Sequence, residues 1–155
     1  MEPRLNFYKS GPEAMKAMTA LEQQIARSGL EKSLIELVRL RASQINGCAY
    51  CIDVHTSDAR KAGESERRLS TVAVWRETPF FTDIERAALD WTESVTLVAK
   101  TRVPDDVWNR VEGTFHTSRD GRLDAAGEHH QRLESICHCV PQTTRLNEGI
   151  LAPSA

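Results

Sequence analysis

An excess of charge of one sign is nearly absent from this sequence: 20 lysines and arginines offset 22 aspartates and glutamates, a net −2 over 155 residues. Such a balance favours neither nucleic acid nor an anionic membrane as partner, which leaves small molecules and proteins. Long apolar runs are also missing. No stretch approaches the roughly 20 residues of a bilayer span, and the N-terminus has no charged segment followed by an apolar run. A cytoplasmic protein is the expectation. Cysteine is scarce: four residues, two of them in a CxxC, are too few for a secreted disulfide framework. In a reducing compartment such a pair signals redox chemistry or metal. No window alternates with period two, so the expected class is all-α. At this length one domain suffices, and it can bury a core without staples.

Helical spacing divides the chain into about six helices. Ser10 is placed to cap a first helix that opens at Pro12, runs through Met15, Met18, Leu21 and Ile25 to Ser28, and stops at Gly29. A second starts at Glu31 and is apolar over more than half its circumference (Leu34, Ile35, Leu37, Val38, Leu40, Ala42, Ile45), which predicts a central position. Asn46-Gly47 interrupts it. A third helix runs from Cys48 to about Ala62 and ends at Gly63; a fourth spans Glu64 to Arg76, stopped by Thr78-Pro79. Phe80 and Phe81 anchor the connection to a fifth, capped by Thr82 or Asp83 and running from Ile84 to about Lys100. Its core spacing is Ala87, Ala88, Trp91, Val95 and Val98. Pro104 opens a sixth with Val107, Trp108, Val111 and Phe115 on its buried side. Trp75, Trp91 and Trp108 all stand at core spacing.

The chemistry concentrates between Glu36 and His55. Cys48, Cys51 and His55 lie at i, i+3 and i+7 and so share roughly 60° of one helix face, a dithiol with a base beside it. In an unbroken helix Glu36 would stand about 18 Å along the axis from Cys48; a bend at Asn46-Gly47 lets the carboxylate approach. The same bend puts Cys48 in a first helical turn, where free backbone N–H groups favour a thiolate.

Glu36, eleven intervening residues, then Cys48-x-x-Cys51-x-x-x-His55 resembles the alkylhydroperoxidase AhpD-like branch of the carboxymuconolactone decarboxylase family. Asn6-Phe7-Tyr8, Pro12-Glu13-Ala14, Ser28-Gly29-Leu30, the run Ala42 to Gly47, Trp75-Arg76-Glu77-Thr78 and Phe80-Phe81-Thr82 extend the likeness to its short single-domain members over about residues 5 to 115. The resemblance implies an all-helical bundle, a homo-oligomer (trimer or hexamer) and thiol-dependent reduction of organic hydroperoxides, with no bound cofactor and electrons from an external dithiol such as a lipoyl group. It makes Cys48 and Cys51 the redox pair and Glu36 with His55 a proton relay. Cys51, four residues before His55, is the thiol closest to that relay; Cys48 at the helix tip is the one open to peroxide or reductant.

Each residue also has a plainer reading. The cysteines could be two small buried hydrophobes, or with His55 three zinc ligands that lack a fourth. Glu36 could be a solvated helix carboxylate and His55 a satisfied core histidine. Ser43 and Asn46 are common capping residues as well as candidate neighbours of the thiols. Tyr50 could supply a hydroxyl donor, although other members carry different residues there. Two further functions compete: a lyase acting on a lactone acid, which needs no dithiol, and a non-catalytic oligomer whose CxxC only senses redox state.

From His116 onward the pattern fails, and residues 116–155 read as an atypical, irregular tail to a 1–115 domain. If Gln131 to Cys139 are encoded by suitable codons, reading one nucleotide later yields Asn-Ala-Trp-Asn-Arg-Phe-Ala-Ile, the helix with which related chains continue. Gly121 to His130 shifts similarly to an apolar segment. A frameshift near Phe115 to Ser118 is the expectation, with a weakened oligomer if the written tail is what the cell makes. His129, His130, Cys137, His138 and Cys139 imitate a metal cluster, but adjacent Cys-His-Cys ligands lack the usual loop, and no role is assigned to them.

Overall fold

The computed structural model describes residues 6–116. The expected tail beyond His116, with His129, His130, Cys137, His138 and Cys139, lies outside them, as does any shift of frame past that residue. The described residues form α1 (Phe7–Ser10), α2 (Pro12–Ala26), α3 (Lys32–Ile45), α4 (Ala49–Lys61), α5 (Glu66–Thr71), a 3-10 helix (Val72–Glu77), α6 (Asp83–Thr96), α7 (Val98–Thr101) and α8 (Asp105–His116). The class is all-α as read from the sequence, with no strand among the described residues. No described helix is long and apolar enough to cross a membrane.

Local signals set most boundaries. Pro12 opens α2 at its first position, where its missing N–H costs nothing. Ser10, expected as that helix's cap, instead ends α1; Gly11 takes the cap position without a side-chain bond. Thr82 caps α6 through a reciprocal capping box with Glu85, and Ser65 caps α5 by accepting the Arg68 N–H.

Two expected helices are divided. The segment from Glu64 to Arg76 splits into α5 and the 3-10 helix, with a kink at Val74 (φ −123°, ψ 31°). The segment from Ile84 to Lys100 breaks at Leu97, whose φ of −103° and ψ of 27° close α6. That break turns Val98 out of the core register, leaving it 52% exposed. Periodicity could not show either break, because the apolar spacing runs through both and neither carries a glycine or proline.

The core has two lobes on either side of α3. Ile25, Leu34, Ile35 and Val38 pack with Ala87, Ala88 and Trp91 of α6 and Val107, Val111 and Phe115 of α8. Leu37 and Leu40 pack with Ala59, Leu69, Val72, Trp75, Phe81 and Leu89. From Leu34 to Leu40 every residue of α3 is buried, so the central position expected for this helix is the one it takes. Phe81 is buried and Phe80 packs beside it, as the connection required. Trp108 departs from its core spacing: it is 37% exposed and leans on Trp91 at 5.7 Å between ring centroids.

Arginine–carboxylate pairs tie the lobes together. Glu93 on α6 accepts from Arg41 (Nε, 2.8 Å), from Trp75 Nε1 (2.9 Å) and from Arg76, while Asp90 pairs with Arg76 and Arg110. Burial alone would raise the pKa of Glu93, but the hydrogen bonds from Arg76 and Trp75 and the charge of Arg41 outweigh it and hold the value below normal. A depressed folded-state pKa contributes stability that is present above the unfolded value, about 4.3, and lost as pH falls through the folded one. The urea midpoint is therefore expected to drop on acidification below about pH 4.3, and Glu93→Gln to flatten part of that drop; parallel curves for the two proteins would remove Glu93 from the account.

Candidate active site

The turn between α3 and α4 builds one half of the site. Asn46 closes α3, its N–H bonding to the Ala42 carbonyl at 3.0 Å, and Gly47 takes φ +63°, a left-handed conformation that glycine adopts without Cβ strain. The Cys48 N–H then returns to the Ser43 carbonyl at 3.1 Å. Ser43, fully buried, spends its hydroxyl on the Arg39 carbonyl (2.7 Å), so it supports the backbone of the turn. The reversal antiparallels α4 onto α3, and α3 packs against α4 more extensively than any other pair of elements.

Cys48 is the N-cap of α4, and its sulfur accepts the Cys51 N–H at 3.3 Å. The two cysteines are joined in a disulfide with Cα atoms 5.3 Å apart, within the usual span of such bonds. Their environments differ: Cys51 is 2% exposed, whereas Cys48 is half-buried. The inner sulfur stands one turn before His55 on the same face of α4, and the outer one at the helix tip.

Glu36 supplies the second half. From the middle of α3 its Oε2 meets His55 Nδ1 at 2.8 Å, and both side chains are at least nine-tenths buried. The turn at Asn46-Gly47 thus brings this carboxylate to His55. A carboxylate can only accept, so the shared hydrogen belongs to Nδ1 and the Nε2 lone pair is left as a base. An imidazole held in this way can accept a proton at Nε2, hold it on the ring, and return it.

Two participants were not foreseen. Arg39, one turn along α3 and 8% exposed, places Nη1 3.4 Å from the other oxygen of Glu36 and pairs through Nη2 with Glu22 of α2. The signal was available: Arg39 follows Glu36 by three residues, one turn along the mostly apolar stretch from Leu34 to Leu40. Of the remaining candidates, Tyr50 is half-buried and Asn46 is exposed. Among the described residues no three His, Cys, Asp or Glu side chains are grouped to hold a metal ion.

Residues 12–94 match the profile of the Carboxymuconolactone decarboxylase family. YdfG of Bacillus subtilis (strain 168), itself uncharacterised, is 44% identical over 111 residues, which cover 72% of this chain and 76% of YdfG. The chain belongs to the carboxymuconolactone decarboxylase family. Within the family, an AhpD alkyl hydroperoxide reductase of Coxiella burnetii is 44% identical over 48 residues, covering 31% of this chain and 27% of that enzyme. The crystal structure of ATU0492 from Agrobacterium tumefaciens, a protein of unknown function provisionally described as an antioxidant defence protein AhpD, superposes with a TM-score of 0.75. It is 37% identical and the alignment covers 92% of this chain and 88% of that one. The AhpD-like helical fold of the family is thus the fold found here.

Proposed function

We propose that this protein is a thiol-dependent alkylhydroperoxide reductase. The observation that carries the reading is the buried Glu36–His55 bond at 2.8 Å on the face of α4 that also bears Cys51, with Cys48 bonded to Cys51 at the helix tip. A dithiol beside a held imidazole is what peroxide reduction needs and what a decarboxylating lyase does not.

In the reduced protein His55 Nε2 takes a thiol proton, and the N-terminal turn of α4 favours the resulting thiolate at Cys48. A thiolate attacks the O–O bond of the hydroperoxide: an S–O bond forms, O–O breaks, and the alkoxide leaves as alcohol with the proton held on the ring. The sulfenic acid condenses with the second thiol, releasing water and forming the Cys48–Cys51 disulfide. An external dithiol, of which a dihydrolipoyl group is the chemical type, attacks the outer sulfur and restores both thiols by exchange. Substrate and reductant are an organic hydroperoxide and a dithiol-bearing protein; no bound cofactor enters. The protein acts in the cytoplasm as a homo-oligomer.

The test is hydroperoxide consumption with dihydrolipoamide as electron donor. Wild-type protein is expected to turn over repeatedly, and Cys48→Ser or Cys51→Ser to lose at least about a hundredfold in rate, since each removes a covalent partner. Activity that survives either substitution refutes the reading. A single oxidation per dithiol that dihydrolipoamide cannot reverse would instead identify a redox-responsive oligomer.

A further inference from the structure

Glu36 does not face His55 alone. One of its oxygens is taken by the imidazole and the other by Arg39, and Arg39 is held in turn by Glu22 of α2. Three helices thus contribute to one chain of alternating charge, Glu22, Arg39, Glu36, His55. Arg39 is 8% exposed, and its own carbonyl is fixed by the Ser43 hydroxyl that supports the cysteine turn. A buried guanidinium requires compensation. Two carboxylates provide it, Glu22 and the Glu36 that also meets His55.

We infer that Arg39 is a positioning residue of the proton relay, and that Glu22 sets how much of its charge the relay feels. The inference rests on the thiol-peroxidase reading of the site. Arg39 fixes the rotamer of Glu36 by occupying the oxygen that His55 does not use. It also balances the Glu36 charge, so that the dithiol faces a compensated carboxylate. Glu22 draws part of that positive charge toward α2.

Other charged groups around the site are already engaged. On α4, Asp58 pairs with Lys61 and Arg60 with Glu66; on α3 and α6, Arg41 pairs with Glu93, and Asp90 with Arg76 and Arg110. Tyr50 and Asp53 complete the titratable groups on the first two turns of α4. The chain from Glu22 to His55 is therefore the route by which charge on α2 reaches the thiols.

The signs follow from charge alone. Removing the positive group makes every nearby proton harder to release; removing the negative group behind it makes release easier. The rate at which iodoacetamide alkylates Cys48 and Cys51 in the reduced protein, measured against pH and resolved by mass spectrometry, reads this directly and needs no turnover. Arg39→Gln is expected to move the acid limb up by about half to one pH unit, and Glu22→Gln to move it down by roughly a quarter to a half. Arg39→Lys, which keeps the charge, is expected to restore the wild-type limb while recovering only part of the hydroperoxide rate, because an ammonium cannot reproduce the fork between two carboxylates.

Glu22 is only partly buried, so its variant tests the inference even where Arg39→Gln does not fold. Limbs that stay in place, or that move the same way for both variants, overturn it. Opposite shifts in a protein that reduces no hydroperoxide would uphold the charge chain and remove the peroxidase reading; unmoved limbs in an active enzyme would do the reverse.

Discussion

His55→Ala is expected to lower the hydroperoxide rate by about a hundred- to a thousandfold while leaving the protein folded and the cysteines able to form their disulfide. The magnitude is that of a positioned general base. His55 is the acceptor nearest in sequence and on the same face as Cys51, and the thiol of Cys51 has little access to water at 2% exposure. Glu36→Gln is expected to cost less, about ten- to a hundredfold, because the imidazole remains but loses the partner that fixes its orientation and keeps Nε2 free. The double variant should be no slower than His55→Ala alone: a carboxylate that acts only through the ring has nothing to act on once the ring is gone. Multiplicative losses in the double variant would show that Glu36 touches the reacting atoms independently. Steady-state rates for the three variants with one hydroperoxide and one dithiol decide it.

Leu37→Ala carries the largest expected effect on stability. The side chain is 0% exposed and lies in the lobe formed by Leu40, Ala59, Leu69, Val72, Trp75, Phe81 and Leu89. Truncation removes buried methyl groups and leaves a cavity that rigid helices close only in part, a loss of about 2–5 kcal/mol. For a chain of this length that corresponds to a midpoint roughly 5–15 °C lower in a thermal melt. Leu37 is also the neighbour of Glu36 and packs on the α4 side of α3 through Ala59. A cavity there loosens the surface on which Glu36 meets His55, so hydroperoxide activity is expected to fall at temperatures where the variant is still folded. Loss of activity that tracks only the unfolded fraction would separate the core from the site.

Both expectations draw on the same architectural fact, that α3 is core and site at once. Between Leu34 and Leu40 the helix buries apolar side chains into two lobes, yet it also carries Glu36 and Arg39 below the surface. Buried charge is costly unless paired. Here the pairing partners, His55 and Glu22, come from the helices on either side, so the polar chain is complete only when α2, α3 and α4 are all in place.

The dithiol, its base and the turn before them were legible in the residues because they are governed by short-range geometry. A spacing of three and then four places Cys48, Cys51 and His55 on one face of any α-helix, and Asn46-Gly47 ends a helix wherever it occurs after a full run. The apolar excess around α3 likewise marked it as central. Caps and breaks are less legible in the residues. Ser10 and Pro12 both signal a helix start, but a short preceding helix had already claimed Ser10, and the interruptions at Val74 and Leu97 carry no glycine or proline to announce them.

What the sequence by itself determined, then, was the placing of Cys51 and His55 on one face of α4 and the all-helical class, since both follow from contacts within a few residues of one another. Only the tertiary structure decided which partners that chemistry has. Glu36 and His55 are nineteen residues apart, and Glu22 and Arg39 seventeen; each pair meets across two helices whose relative direction and register depend on how the core packs. Periodicity tells which way a side chain points, while packing determines what it finds there. Arg39 is the clearest case: one turn along from Glu36 it is buried on the same helix, and only the packing of α2 brings Glu22 to its other side.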